Sequence, residues 1–196
     1  MINVYEQKDY DNAYKLKKKL LTLYFVVLSV FIVAVAVIFI LYTRLPYAST
    51  KEIERKGNLY MALNSVITAI AVILSFVYLG IPYKRAKAYF KLLDNIRIGQ
   101  KVKNVSTFLQ NDLTVSEVNQ VDFHTMVVLE WSDKTQEFMR RHVLVDKEKP
   151  MPNLKSGDII VYTTHSNVLL SYGLKSQEDV FDELNEKENN NGKNQK

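Results

Sequence analysis

Two stretches of this sequence, Leu20–Tyr42 and Leu59–Tyr83, contain no charged residue over 23 and 25 positions. About 20 apolar residues suffice for a helix to cross the ~30 Å hydrocarbon core of a bilayer. Each stretch is therefore predicted to be a transmembrane helix, and the pair excludes a simple soluble domain of 196 residues. The first run is too long for the 7–15-residue core of a typical signal peptide, and no small-x-small cleavage site follows it. Pro46, after Tyr42-Thr43-Arg44-Leu45, stops continuation of that helix. In the second run Asn64 and Ser65 lie near one end, and Gly80 and Pro82 near the other, where helices tolerate such residues.

The net charge of +5 is unevenly distributed. Residues 1–19 carry +2, 44–58 carry +2 and 84–97 carry +4, whereas 98–172 carry −1 and 173–196 carry −2. Positive charge thus flanks the apolar runs, which points to anionic lipid headgroups and away from nucleic acid. Lys17, Lys18 and Lys19 before the first run, and Lys84, Arg85, Lys87 and Lys91 after the second, are the candidate lipid-interface residues. Lys8 and Lys15 on one side and Arg97 on the other bring the flanks to ten basic residues, against four in the loop between (Arg44, Lys51, Arg55, Lys56). That bias predicts a multi-pass protein of the cell membrane with both termini cytoplasmic and a short external loop. Tyr24, Tyr42, Tyr47, Tyr60, Tyr78 and Tyr83 read as aromatic belts.

Neither run contains Asp, Glu, Lys, Arg or His, which argues against this chain acting alone as a channel or transporter. Ala62, Ser65 and Ala69 recur at helical spacing, with Asn64 beside them, and are the candidate helix-packing residues. Packing of the hairpin on itself is the plainer reading, and a partner helix is the alternative. Beyond the second run, Ala86, Tyr89, Phe90, Leu93 and Ile96 fall on one helical stripe, with the basic residues mostly off it. Such a juxtamembrane helix over 84–97 either lies in the headgroup plane or packs its stripe on the following domain.

From Ile98 to Leu174 the period changes to two. Phe123–Trp131 alternates, and Thr135–Val145 follows a turn at Ser132-Asp133-Lys134. Ile159–Thr164 and Val168–Tyr172 flank a turn at His165-Ser166-Asn167, while Val102–Gln110 and Leu113–Val118 are weaker candidates. Five or six antiparallel strands are predicted, forming a small barrel or sandwich with Phe123, Trp131, Phe138 and Tyr162 in its core. The linker Leu154-Lys155-Ser156-Gly157-Asp158, followed by the apolar strand Ile159-Ile160-Val161-Tyr162, resembles a broad family of small bacterial membrane proteins of unknown function. In those proteins transmembrane helices adjoin a compact β domain. The resemblance covers about residues 123–172 and departs at Thr163–Asn167, where the family has an Asp-Pro-containing turn; it implies architecture and no activity.

The chemistry-bearing residues are few. With no cysteine and three histidines, thiol nucleophiles, disulfides and zinc–thiolate sites are excluded. No glycine loop fits a phosphate site, and no HExxH or GxSxG motif occurs. His124 and His142 are expected roughly opposite each other across a hairpin, as ordinary strand histidines before a metal pair. Glu130 is expected near Thr135 or Gln136, and Arg140-Arg141-His142 forms a solvated or phosphate-binding basic face. Ser176-Gln177-Glu178-Asp179 opens a predicted short acidic helix bearing Val180, Phe181 and Leu184, and residues 186–196 are expected to be disordered. That acidic segment either docks on a partner or covers the edge of the barrel.

The segments are thus 1–19 (basic), 20–43 and 59–83 (membrane helices), 44–58 (loop), 84–97 (amphipathic helix), 98–174 (β domain) and 175–196 (tail). Together they describe a membrane protein with a two-helix hairpin and a small antiparallel β domain. The expected function is a non-catalytic accessory or scaffold subunit presenting that domain for protein interaction. The alternative is a membrane-surface sensor of anionic lipid or a small ligand. No cofactor or catalytic residue is expected. Expected partners are anionic lipids and a membrane protein or a second copy, with no nucleic acid.

Overall fold

A computed structural model describes residues 1–46, 50–132 and 135–175. They form two compact units: Met1–Tyr10 together with the chain from Lys91 onward, and Asp11–Phe90.

The second unit is helical. Helix α1 (Gln7–Thr43) and helix α2 (Lys51–Tyr78) contribute most of it, and a π-helical turn, Leu79–Tyr83, leads into α3 (Lys84–Ile98). Pro82 explains that turn: it has no N–H to donate, and the wider π spacing accommodates the missing bond without ending the helix. The most apolar windows of the two long helices contain no buried residue, and both helices are long and apolar enough to cross a membrane. Half-buried positions on α2 (Tyr60, Asn64, Ile67, Ala71, Ser75, Tyr78) recur at intervals of three and four, as the seam of a helical hairpin requires. The seam is pinned at one end by polar bonds. Tyr24 Oη donates to Ser75 Oγ at 3.3 Å, and Tyr78 Oη donates to the carbonyl of Leu20 at 3.1 Å. The two tyrosine rings stack with centroids 6.0 Å apart, so these belt tyrosines are turned into the helix pair.

The first unit is a closed barrel of five strands: β2 (Val102–Val118), β3 (Val121–Ser132), β4 (Glu137–Asp146), β5 (Ile159–His165) and β6 (Val168–Leu174). The order β4-β3-β2-β5 closes through β6, which pairs with β5 along its length and meets β4 at Leu144↔Val168. That last contact is parallel, so the sheet is not wholly antiparallel as expected. The two weak strand candidates are one strand, β2, with register irregularities between Phe108 and Gln110 and between Asp112 and Ser116. Two-residue turns at Asn119-Gln120 and Ser166-Asn167 have positive φ at both positions, the mirror-image turn geometry that suits a twisted hairpin.

A short strand, β1 (Ile2–Asn3), adds to the outer edge of β6, with Ile2 opposite Tyr172 and Asn3 opposite Ser171. Val4 continues it, donating its N–H to Leu170 O at 2.8 Å and joining a core of Phe108, Met126, Val128, Ile160, Tyr162 and Leu169. The basic segment 1–19 is therefore not uniform, since its first ten residues belong to the β unit.

Two of the four expected core aromatics hold their place: Phe123 and Tyr162 are fully enclosed. The other two correct the expectation, because Trp131 is 47% and Phe138 65% exposed. The reason lies in the register. Trp131 and Phe138 share the outward face of Leu129 and Arg140, and the β2–β3 ladder ends at Thr107↔Leu129, so no β2 residue pairs beside them.

Candidate functional site

The histidines do not form a pair. His124 opposes Val145, and His142 opposes Val127 one residue out of phase, which puts the two on opposite faces of the hairpin. Among the described residues no cluster of His, Asp and Glu can hold a metal ion. Glu130 opposes Met139, not Thr135 or Gln136. Its carboxylate takes a 2.9 Å charge-assisted hydrogen bond from Arg141, whose Nε also donates to Asn167 Oδ1 at 3.2 Å. Burial works against the Arg141 charge, but Glu130 and the nearby Tyr162 hydroxyl outweigh it and hold the guanidinium above its ordinary value. The Arg-Arg-His run is accordingly split by the strand period. Arg141 turns inward to close the end of the barrel, while Arg140 and His142 face out.

The outer face is built by the same period. Thr107 opposes both Ile159 and Leu129, and Leu129 opposes Arg140, so one row of outward residues crosses four strands. Two positions further along the same face stand Val105 opposite Val161, and Trp131 opposite Phe138. Val105 is 48% exposed, and the Trp131 and Phe138 rings meet edge to face at 5.1 Å. Lys103 lies on this face two residues before Val105, and Arg140 two after Phe138; both are exposed. The result is an exposed apolar strip with a tryptophan at one end and a basic residue on two of its sides. Buried Trp and Arg side chains are the commonest hot spots where proteins meet. Sequence period alone could have placed these residues on one face; it could not show that no described residue covers them.

Where α3 enters the barrel, His165 from the β5–β6 turn packs on Gly99, and its Nδ1 lies 2.8 Å from the Gln100 carbonyl. A Cβ at Gly99 would stand 2.0 Å from His165 Cε1 and 2.7 Å from the Asn95 carbonyl, so only glycine fits. Within the same unit Arg97 lies over the Tyr10 ring at 4.6 Å. Lys149 bonds Asp9 at 2.7 Å. Burial pushes the Asp9 carboxyl up, but Lys149 and the Glu6 backbone more than offset this and leave it below the usual carboxylate range.

No family model, curated protein or solved structure matches this chain.

The residues singled out from sequence are distributed as follows. Lys18, Lys19, Lys84, Arg85, Lys87 and Lys91 are exposed, and Lys17 is half-buried with its ammonium 3.8 Å from the centre of the Phe90 ring. On the α3 stripe Ala86, Leu93 and Ile96 are buried, the arrangement of a helix packed on protein. Asn64 lies in the hairpin seam and its Oδ1 is buried without a hydrogen-bond partner. Ala62, Ser65 and Ala69 are exposed, and Ser65 borders a groove between the helices with Phe39, Tyr42 and Asn64. An apolar groove of about 810 Å³ runs between the helices, lined by Phe31, Val35, Ala71, Val72 and Phe76 among others.

Proposed function

We propose that this protein is a non-catalytic accessory or scaffold subunit of a membrane assembly, with the β barrel as its protein-binding module. The observation that carries the reading is the outer strip of Val105, Trp131 and Phe138, large apolar side chains left in solvent by a barrel that encloses its other aromatics. The pairing of β1 with β6 supports a two-crossing topology. Residues 1–10 and the barrel are one unit, so a chain that leaves through α1 has to return through α2 to the same side. The excess of Lys and Arg on the two flanks makes that side the cytoplasm.

A photo-crosslinking residue at Phe138 in the full-length protein, expressed in its own membrane, is expected to trap one stoichiometric partner. Trp131→Ala is expected to reduce that capture about tenfold, the effect of losing a hot spot worth about 1.4 kcal/mol or more. Capture at Phe138 equal to that at an exposed site on the opposite face would overturn the reading.

The second reading, a sensor of anionic lipid, draws on the exposed Lys84, Arg85, Lys87 and Lys91. The buried stripe of α3 limits it to electrostatic contact, without insertion of that helix.

A further inference from the structure

We propose that two copies of this chain pair through the free edge of β4, antiparallel and two-fold about Met139, so that the two barrels share one continuous sheet. This deepens the scaffold reading, on which it rests for treating the barrel as a protein-binding module, by naming one partner as a second copy.

The edge is open over five residues. Leu144 donates its N–H to Asn167 O at 2.9 Å, and Asn167 Nδ2 donates to the His142 carbonyl. Those main-chain groups face away from β3, and among the described residues β6 meets β4 only at Leu144↔Val168. Main-chain direction alternates along a strand, so Phe138 and Arg140 turn their N–H and C=O to that same side. No described residue pairs with them there. The free stretch is therefore residues 137–141, from the start of β4 to the Asn167 cap.

Sheet edges are commonly blunted by a proline, a lysine or a bulge. Residues 137–141 contain neither proline nor lysine, and the β3–β4 ladder runs without a register shift from Ser132↔Glu137 to Phe123↔Asp146. Phe138 and Met139, on opposite faces of this edge, are 65% and 51% exposed.

The edge is also complementary to its own reverse. A two-fold at Met139, the centre of the free stretch, sets Glu137 opposite Arg141 of the partner subunit and Phe138 opposite Arg140 of the partner subunit, each twice by symmetry. Phe138 and Arg140 then exchange ladder hydrogen bonds, and the guanidinium meets an aromatic ring. Arg141 retains N–H groups for a second carboxylate: its Nε and one terminal nitrogen serve Asn167 and Glu130, and 31% of the side chain is open to solvent. Neighbouring registers lose this match. Centred on Arg140, the two copies set arginine against arginine; centred on Phe138, Glu137 faces a methionine.

The chain has no cysteine, so one introduced thiol reports on the axis. The full-length protein carrying Met139→Cys is oxidised in its own membrane with copper phenanthroline, and folding of each variant is verified by circular dichroism. Opposed residues of a non-hydrogen-bonded antiparallel pair lie about 4.5 Å apart at Cα, within disulfide reach, so a linked homodimer is expected. Glu137→Cys, also exposed, would lie four residues out of register with its counterpart and is expected to stay monomeric. Adding Arg140→Pro or Glu137→Arg to Met139→Cys is expected to lower the linked fraction about tenfold. The first removes an outward N–H from each copy, and the second sets like charges opposite each other. Glu137→Arg, an exposed change, keeps the test decisive where proline disturbs the barrel. No disulfide at Met139→Cys in the folded chain would overturn the proposal, as would equal linkage of Glu137→Cys or linkage to a foreign protein alone. The scaffold reading fails separately. Capture of a second copy and no foreign protein at Phe138, with the disulfide intact, would remove the scaffold role and leave the pairing.

Discussion

Gly99 marks the narrowest passage in the molecule. It sits between the last carbonyls of α3 and the His165 ring, and any side chain there meets backbone on one side and imidazole on the other. Gly99→Ala is expected to cost about 2 kcal/mol, within the usual range for overpacking a tight site, as measured by chemical unfolding of the detergent-solubilised protein. His165→Ala in the same chain is expected to recover only part of that loss, because the Asn95 carbonyl at 2.7 Å remains. Full recovery would show that the imidazole is the whole obstacle.

The elements of the β unit hold one another partly by charge. The first turn of α1 is tied to the loop after β4 through Asp9 and Lys149. The Asp9 carboxyl is held below its ordinary value in the folded protein, so the stability it confers is complete above the normal carboxylate range and is lost as pH falls through the lowered value. Asp9→Asn is expected to lower stability by about 0.5–1 kcal/mol at pH 7. The gap to the parent should narrow in thermal melts once pH falls below the normal Asp value, and close below the lowered one. A gap of constant size across that range would mean that packing, not charge, holds the contact.

Element by element, the sequence is legible wherever period and burial agree. The uncharged runs read as helices because nothing but lipid or protein suits 23 consecutive uncharged residues, and Phe123–Trp131 reads as a strand from its alternation. The misreadings have physical causes. Strand β1 offers two ladder residues, too few for any period. Trp131 and Phe138 have the chemistry of a core, and the register that sets them on the outward face with Leu129 and Arg140 decides that they are outside it. The irregularities in β2 interrupt its alternation, so one strand reads as two. The register of His124 against His142 depends on a turn whose length alternation does not specify. The candidate site was therefore legible in residue type and not in exposure.

At the scale of the whole molecule, the two units are not consecutive in sequence, since the β unit takes residues from both sides of the helical one. The absence of cysteine makes a topology test clean. Single cysteines at Glu54, Lys15 and Lys155, all exposed positions, are expected to divide in intact cells. The first should react with a membrane-impermeant maleimide, and the other two only after permeabilisation. Labelling of Lys155→Cys without permeabilisation would reverse the orientation, and opposite behaviour of Lys15→Cys and Lys155→Cys would break the hairpin.

The strand at the N-terminus also sets an order of events. β1 is made before every other described element, yet its ladder partner on β6 is among the last residues of the described chain to be made. Val4 cannot enter the core, nor β1 pair with its edge, until everything between has been synthesised. Until β1 pairs there, that edge of β6 stays open to other strands.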